Sequence, residues 1–530
     1  MRTKKNKGLR SALAAGLAAV LALSLAACSQ TGGTTASSDT DANASGSNAS
    51  AQTTFTYARA ASVTSLNLWT EITANNAFAI DKVFEPLVSF DKDGKIIDWL
   101  AESHMISDDG LTYTFTLRDG LKFSDGSDVT AADAVFSIKQ HQAEKDAALP
   151  LTADIASVDA PDDHTVEIKL NSPYTPLLAE LANFSNGIVP KDFGGKSEDD
   201  FFKNPVGTGP FVVSDWDKSG DLTFTKNKHY WQEGKPGIDK LVYKVVEDGT
   251  QAVNQLKTGE VDGIESPALE NLDELENGAD TKVETAGSWV THTFFFNTKD
   301  EHFADVHVRR ALAYALSRED VTKAVSFGHA TAAKTVLPKA IEYSTQDSIK
   351  PVDNDLDKAK AELAESKFPQ GFSAKILLAS GNNAYSQAVQ LLQSAAAKIG
   401  VKLDIDSVDI ATFRSRFKAF DYQIMINSAQ ADYPDADSII DFQADPDGFS
   451  KSYWTSYSND EVTKELKQAQ VTPDGSERAD LYKKIQQTLA DEVPYIPLYS
   501  PDIVKAVRKN VSGLEVLPND SVRFQDVKIG

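Results

Sequence analysis

The sequence predicts an α/β protein, because hydrophobic periods of about two and about 3.6 residues alternate along the chain. Apolar residues alternate with threonines over 111–117 and with charged residues over 166–170, which is typical of half-buried strands. From Asp305 to about Asp320 the apolar residues fall on one face of a helix. Strands and amphipathic helices therefore share one chain.

Residues 1–27 have the composition of an export signal, with basic residues ahead of an apolar segment from Ala12 to Ala27. That segment is shorter than the roughly 20 residues of a membrane-spanning helix. The run Leu-Ala-Ala-Cys ending at Cys28 resembles the bacterial lipobox, which implies cleavage before Cys28 and a lipid on its sulfur. The protein is then expected on the outer face of the plasma membrane or in the periplasm. The alternative is an ordinary signal peptide followed by an incidental cysteine.

Residues 28–53 are rich in Ser, Thr, Gly, Ala and Asn and contain no aromatic residue, which predicts a flexible tether. Cys28 is the only cysteine, so the sequence predicts no disulfide. The net charge of −24 at pH 7 would repel phosphates and argues against a nucleic acid partner.

Between Gly371 and Ala431 the alternation is regular and predicts an α/β lobe. Its expected elements are a strand at 372–378, a helix at 384–399 stopped by Gly400, a strand at 401–405, a helix at 410–419 and a strand at 422–426.

Motifs of catalysis are missing from the sequence, which contains neither His-Glu-x-x-His nor Gly-x-Ser-x-Gly. The eight histidines are dispersed, and His302 and His307 are not spaced to share a helix face. These absences by themselves argue only weakly against catalysis. Paired carboxylates of a hydrolase can come from distant strands, so a secreted hydrolase or a chaperone remains an alternative class.

An acidic segment, 431–437, follows the last predicted strand of the α/β lobe. It lies where open α/β sheets place ligands, at the carboxyl ends of their strands. A carboxylate left unpaired in a cleft there would bind an ammonium group through charge-assisted hydrogen bonds. The alternative is an acidic surface turn started by Tyr433 and Pro434.

Several segments together resemble the peptide/nickel group of solute-binding proteins, the extracytoplasmic receptors of ABC importers. The longest is AESHMISDDGLTYTFTLRDGLKFSDGSDVTAADAV at 101–135. Others are GTGPF at 207–211, NKHYW at 227–231, GEVD at 259–262, FADVHVRRAL at 303–312 and PYIPLY at 494–499. The resemblance runs from about Phe55 to the C-terminus.

This resemblance implies a two-lobe periplasmic-binding-protein-like fold of type II, with an extra subdomain in the first lobe. Lobe 1 is expected at 54–89, 205–286 and 500–530, the subdomain at 90–204, and lobe 2 at 287–499. It also implies a binding protein rather than an enzyme, without cofactor or metal. As a monomer it is expected to close around a short peptide and deliver it to ABC permease subunits.

The resemblance further implies that Asp432 holds the α-ammonium of the peptide, with Ala431 and Tyr433 beside it. The segment around Trp289 and Val290 is similar to one that pairs with the peptide backbone. Trp289 is then a candidate pocket wall, although core packing explains its ring equally well.

Two further aromatic residues, Trp69 and Tyr385, are candidates for contact with the solute. The sequence departs from the family pattern at Ser428 and Ala429, where peptide-binding relatives commonly show Gly-Trp. Ile426 stands where some oligopeptide binders place an arginine that pairs with a carboxylate. An oligosaccharide and a nickel chelate therefore remain alternative solutes.

Overall fold

The computed structural model describes residues 53–70, 73–145, 147–149, 151–447 and 455–530. The predicted signal, Cys28 and the predicted tether up to residue 52 lie outside the described residues. Within the described ranges, no helix is both long and apolar enough to cross a membrane.

Strands and helices alternate along the chain, as the sequence predicts. The strands are β1 (Thr54–Arg59), β2 (Val88–Phe90), β3 (Ile96–Asp98), β4 (Ala101–Ile106), β5 (Thr112–Leu117), β6 (Ile155–Asp159), β7 (Thr165–Leu170), β8 (Phe211–Trp216), β9 (Leu222–Lys226), β10 (Lys240–Val245), β11 (Gly263–Ile264), β12 (Thr281–Gly287), β13 (Val290–Phe296), β14 (Ala330–Ala332), β15 (Ser373–Ala379), β16 (Lys402–Val408), β17 (Ile424–Gln430), β18 (Tyr495–Arg508), β19 (Val511–Ser512), β20 (Glu515–Val516), β21 (Val522–Arg523) and β22 (Lys528–Ile529). The helices are α1 (Ala74–Ile80), α2 (Ala131–Ala143), α3 (Leu177–Leu181), α4 (Glu198–Phe201), α5 (Gly249–Thr258), α6 (Leu272–Glu276), α7 (Val306–Ala315), α8 (Arg318–Ser326), α9 (Leu356–Glu365), α10 (Asn383–Ala397), α11 (Ile410–Lys418), α12 (Asp437–Ala444), α13 (Asp460–Val471) and α14 (Ser476–Glu492).

The long strand β18 joins two half-sheets. The order is β16-β15-β17-β13 on one side of β18 and β11-β1-β10-β9-β8 on the other. Its first part pairs with β13, where His292 faces Tyr499, and its second part pairs with β12, where Ala286 faces Ile503. We call the half with β1 lobe 1 and the half with β13 lobe 2. The predicted two-lobe α/β architecture is thereby confirmed.

A separate antiparallel sheet of order β4-β5-β7-β6 lies beside the lobes. The predicted alternation over 111–117 is confirmed, because Tyr113, Phe115 and Leu117 are all buried. Segment 101–186, which holds this sheet with α2 and α3, is called the subdomain below. The predicted outer bounds of the lobes and of the subdomain stay predictions.

Lobe 2 contains the predicted β15-α10-β16-α11-β17 series. The apolar face of α10 is buried, and the helix gives way to Gly400, whose φ of 83° is readily adopted only by glycine. Strand β17 extends to Gln430, further than the predicted end near Ile426, because it pairs with β13 up to Val290 opposite Gln430. Tertiary pairing thus lengthens the strand that leads into the acidic segment.

The single helix predicted from Asp305 to about Asp320 is wrong. Helix α7 ends at Ala315, Leu316 is extended with ψ of 141°, and α8 starts after Ser317. The Ser317 hydroxyl accepts a hydrogen bond from the Asp320 amide at 3.1 Å and so caps the second helix. The apolar pattern continues through the break because Leu316 is itself buried.

Candidate ligand-binding site

The acidic segment begins at the carboxyl end of β17, at the edge of the lobe 2 sheet. The Ala431 amide donates to the carbonyl of Trp289 at 3.1 Å, so the sheet pairing continues into the loop. The Asp432 amide donates to the hydroxyl of Ser438 at 2.8 Å, which ties the loop to α12. The backbone around Asp432 is therefore held at both ends.

Asp435, in the same loop, has a structural role. Its carboxylate accepts hydrogen bonds from Nη1 and Nη2 of Arg478 at 2.7 and 2.9 Å, and the Arg478 side chain is fully buried. Its Oδ1 also accepts from the Asp437 amide at 2.8 Å. This bidentate ion pair fixes the shape of the loop and leaves Asp432 for another partner.

A cavity of about 280 Å³ lies between the lobes and the subdomain. Its walls combine segments that are far apart in sequence, and the side chain of Asp432 is the charged group that lobe 2 contributes. The lining residues are Ala74, Ala77, Phe78, Asp81, Lys82, Phe84, Glu85, Pro86, Ser89, Phe90, Trp99, Leu149, Ala182, Asn183, Phe184, Pro210, Gln430, Ala431, Asp432, Leu517, Asn519, Arg523 and Gln525.

The carboxylate of Asp432 is accessible from this cavity, although protein surrounds the cavity. Among the residues that the structure describes, no side chain or backbone group hydrogen-bonds to that carboxylate. Loss of bulk solvent raises its pKa to about 6, because the ionised form is poorly solvated. A cation brought into the cavity would restore the missing partner.

A smaller cavity of about 90 Å³ adjoins the first one and shares Asp432 with it. Tyr433 lines this second cavity, together with Glu180 and Asp437. Burial raises the pKa of Glu180 to about 8, and burial with repulsion from Asp441 raises the pKa of Asp437. These carboxyl groups bond to neutral partners, such as the hydroxyl of Tyr174 at 3.0 Å from Asp437.

Hydrogen bonds across the cleft join the subdomain to lobe 2. The Asn183 amide group of the subdomain donates to the carbonyl of Asp432 at 2.6 Å. The Thr175 amide donates to the carbonyl of Gln470 at 2.7 Å, and its hydroxyl donates to the carbonyl of Thr472 at 2.9 Å. The subdomain therefore forms a wall of the cleft and bonds to lobe 2.

The structure places Trp289 in the core between lobe 2 and the neighbouring hairpin. Its ring is fully buried and lies 4.7 Å from the ring of Phe90, and it lines neither of these cavities. Its backbone is also engaged, since its amide donates to the carbonyl of Pro518 at 2.9 Å. Val290 faces Gln430 in the sheet. Core packing is thus the role that the contacts of Trp289 indicate.

Trp69 and Tyr385 also lie away from both cavities. Trp69 is buried in lobe 1, with its ring 5.7 Å from that of Phe202 in an edge-on arrangement. Tyr385 is buried in lobe 2, and its hydroxyl is 2.9 Å from Nδ1 of His292. Their large apolar rings pack within each lobe. The sequence pattern did not distinguish such packing from contact with a ligand.

Several charged or polar residues of the site were not predicted from sequence. Glu180 lies in α3 of the subdomain and Asn183 just after it, Glu85 and Trp99 precede the subdomain sheet, and Arg523 is near the C-terminus. No local motif marks them, because they meet only when the chain folds. In the described residues, no group of three or more His, Cys, Asp or Glu side chains is arranged to hold a metal ion.

The chain matches the family model for bacterial extracellular solute-binding proteins, family 5 Middle, over residues 95–451. It is 30% identical to the glutathione-binding protein GsiB of Salmonella typhimurium, over 84% of this chain and 88% of that protein.

Among solved structures, the fold is similar to that of HbpA2 from Haemophilus parasuis. The TM-score is 0.81 at 25% identity, and the match covers 90% of this chain and 100% of that one. It is also similar to the periplasmic binding protein DppA from Helicobacter pylori in complex with the peptide STSA. There the TM-score is 0.77 at 26% identity, and the match covers 90% of this chain and 98% of that one.

These matches confirm the type II two-lobe fold and the prediction of a binding protein rather than an enzyme. They extend over the lobes, the subdomain and the acidic segment that carries Asp432. This chain belongs to the bacterial extracellular solute-binding proteins of family 5, the solute receptors of ABC transporters.

Proposed function

We propose that this protein captures short peptides, or peptide-like solutes with a free α-ammonium group, and delivers them to an ABC permease. One observation carries the proposal. Asp432 lines an inter-lobe cavity, and its carboxylate has no hydrogen-bond partner among the described residues. An ammonium group supplies both the charge and the hydrogen-bond donors that this carboxylate needs.

Lobe closure is the mechanism by which binding would be signalled. A solute that contacts both lobes stabilises the closed form over the open form, and the permease distinguishes the two forms. The contacts of Thr175 with Gln470 and Thr472 would form only on closure. No covalent step is involved.

The size of the cavity supports a short solute. At about 280 Å³ it lies near the lower end of the roughly 300–1,000 Å³ that is common for small-molecule sites. The ligands named for two compared proteins, glutathione and the peptide STSA, are short peptides. Membrane attachment through Cys28, the outer-face location and the monomeric state stay predictions.

An oligosaccharide is the second candidate solute. Three half-buried aromatic rings line the main cavity, those of Phe78, Trp99 and Phe184. Aromatic faces can stack on sugar rings, whereas the unpaired Asp432 would then lack a cationic partner. We therefore favour the peptide.

Native mass spectrometry of protein purified from its own host tests the proposal, because a tightly bound solute can remain in the cleft during purification. We expect a retained peptide of a few residues, which is released unchanged on unfolding. A retained sugar or metal complex would contradict the proposed role of Asp432 but not the assignment of the protein as a solute receptor. Cleavage of added peptide into fragments would instead contradict the assignment of the protein as a receptor.

Peptide binding is expected to weaken as the pH falls through about 6. The pKa of Asp432 in the empty protein is raised from 3.8 to about 6, and only the ionised carboxylate pairs with an ammonium. Protons therefore compete with the peptide, and its affinity should fall about tenfold for each pH unit well below that pKa. The stability of the empty protein should change in the opposite direction. The raised pKa of Asp432 contributes stability at low pH, and that contribution is lost as the pH rises through about 6.

Titration calorimetry between pH 4.5 and 7.5 measures the dependence, and the Asp432→Asn variant is its control. The other carboxyl groups near the site titrate in both proteins, so the difference between the two curves isolates Asp432. Equal pH dependence in the two proteins would assign the effect to Glu180 or Asp437 instead.

A further inference from the structure

Arg523 brings a positive charge from lobe 1 into the cavity that Asp432 lines from lobe 2. It lies on β21, in the C-terminal segment that packs on lobe 1 through Phe524, whose ring is 5.2 Å from that of Tyr57. Two opposite charges therefore line one cavity, one from each of the two lobes.

The guanidinium of Arg523 is held firmly, yet its hydrogen-bonding capacity is not exhausted. Its Nη2 donates to the carbonyl of Phe90 at 2.7 Å and to the hydroxyl of Ser89 at 2.9 Å, and its Nη1 lies 3.2 Å from Oε2 of Glu515. The ring centroid of Trp99 is 4.6 Å away. A guanidinium has five N–H groups. Those contacts leave Nε–H and one Nη1–H without a hydrogen-bond partner in the described part of the chain.

The charge of Arg523 is only partly compensated by the protein. Its ion-pair partner, Glu515, has 38% of its side chain exposed, so water weakens that pair. The other cation of the cavity wall, Lys82, is 3% exposed and already lies 2.7 Å from the carboxylate of Asp81. Arg523 is therefore the lining cation that is better placed to receive a new anion.

Glu85 lies on the same wall but forms no ion pair with Arg523, whose ion-pair partner in the described part of the chain is Glu515. Its carboxyl group accepts hydrogen bonds from Nε1 of Trp99 at 2.9 Å, from the hydroxyl of Tyr230 at 2.9 Å and from Nε1 of Trp231 at 3.1 Å. Burial raises its pKa to about 7, so it carries only part of a negative charge near neutral pH.

We propose that the solute is a short zwitterion, whose carboxylate binds Arg523 of lobe 1 while its ammonium binds Asp432 of lobe 2. This inference rests on the proposed function, because it assigns the second end of the solute that Asp432 anchors. Each of the two free N–H groups can donate one charge-assisted hydrogen bond to a carboxylate oxygen. A solute with both charges bridges the lobes and stabilises closure, whereas a solute with one charge engages one lobe electrostatically.

Matched ligands test this assignment on the unaltered protein. The ligands are a series of di-, tri- and tetra-alanine peptides, each as the free acid and as the C-terminal amide, measured by titration calorimetry. We expect the best free acid to bind about 10- to 100-fold more tightly than its amide, since a charged hydrogen-bonded contact is lost. Small-angle scattering should show closure with the acid at a lower concentration than with the amide.

The Arg523→Gln variant locates the effect. It should weaken binding of the free-acid peptide by about the same 10- to 100-fold factor and leave binding of the amide nearly unchanged. Arg414→Gln is the matched control, because that side chain is exposed and lies outside both cavities, and it should change neither ligand.

The outcomes separate this inference from the proposed function. Equal binding of acid and amide by the unaltered protein would overturn the role of Arg523 and leave the peptide receptor intact. Equal weakening of both ligands by Arg523→Gln would also overturn it. Failure of every peptide to bind would contradict the proposed function itself. The comparison on the unaltered protein remains decisive even if the variant does not fold.

Discussion

Replacing Asp432 with asparagine is expected to weaken binding of a peptide with a free amino terminus by about 2–4 kcal/mol, as for loss of one partner of a buried charge pair. The structure supports so large an effect because this carboxylate has no hydrogen-bond partner among the described residues. Its contribution in the complex would therefore come from the ligand. Titration calorimetry at pH 7.5, where the carboxylate is ionised, measures the loss.

The matched ligand for this test is the N-acetylated form of the same peptide. It lacks the positive charge, so Asp432→Asn should change its affinity little. Asp108→Asn, in an exposed turn of the subdomain, is the matched variant and should change neither ligand. If the free and acetylated peptides lose equal affinity, Asp432 does not recognise the ammonium.

The same variant should not reduce the stability of the empty protein. Because burial raises the pKa of Asp432 to about 6, ionisation of its carboxylate disfavours the folded state above that pH. Asparagine removes this cost, so the melting temperature at pH 8 should stay the same or rise. A lower melting temperature would mean that Asp432 supports the loop itself.

Arg478→Met is expected to lower the free energy of unfolding by about 3–5 kcal/mol, because it leaves the buried carboxylate of Asp435 unpaired. Arg478 is fully buried, and besides Asp435 it donates to the carbonyl of Ala469 at 3.0 Å and to Oδ1 of Asp474 at 2.7 Å. Methionine fills much of the volume but supplies none of these donors. Chemical denaturation followed by circular dichroism measures the change.

Arg414→Met is the control for this prediction, since the exposed Arg414 side chain should contribute well under 1 kcal/mol. Arg478→Met should also weaken peptide binding, because the ion pair with Asp435 shapes the loop that presents Asp432. A change in stability below about 1 kcal/mol would show that water or another cation replaces the guanidinium.

Asp432 and Asp435, which lie in the same loop, are thus expected to affect different properties of the protein. Asp432 should control ligand affinity with little effect on stability, whereas Asp435 and its arginine should control stability first. Sequence spacing does not distinguish them, since both follow β17 within a few residues. The distinction arises from Arg478, which α14 brings to Asp435 from a distant part of the chain.

Local pattern predicted much of the fold. Alternating residues over 111–117 and 166–170 became β5 and β7, and the helix and strand series of lobe 2 lies within a few residues of its predicted places. These features follow from which side chains must be buried, and that information is local. The break between α7 and α8 was missed because Leu316 is buried in an extended backbone and continues the apolar pattern.

The sequence by itself determined the α/β class, the acidic segment at the end of a sheet strand and, through resemblance, the family. Only the tertiary structure decided which side chains face the solute. It placed Trp69, Trp289 and Tyr385 in packed interiors and brought Arg523 to the cavity of Asp432. The reason is physical. Burial of an aromatic ring and exposure of a charge in a cavity both depend on contacts between distant segments. The local spacing of apolar residues in the sequence does not reveal such contacts.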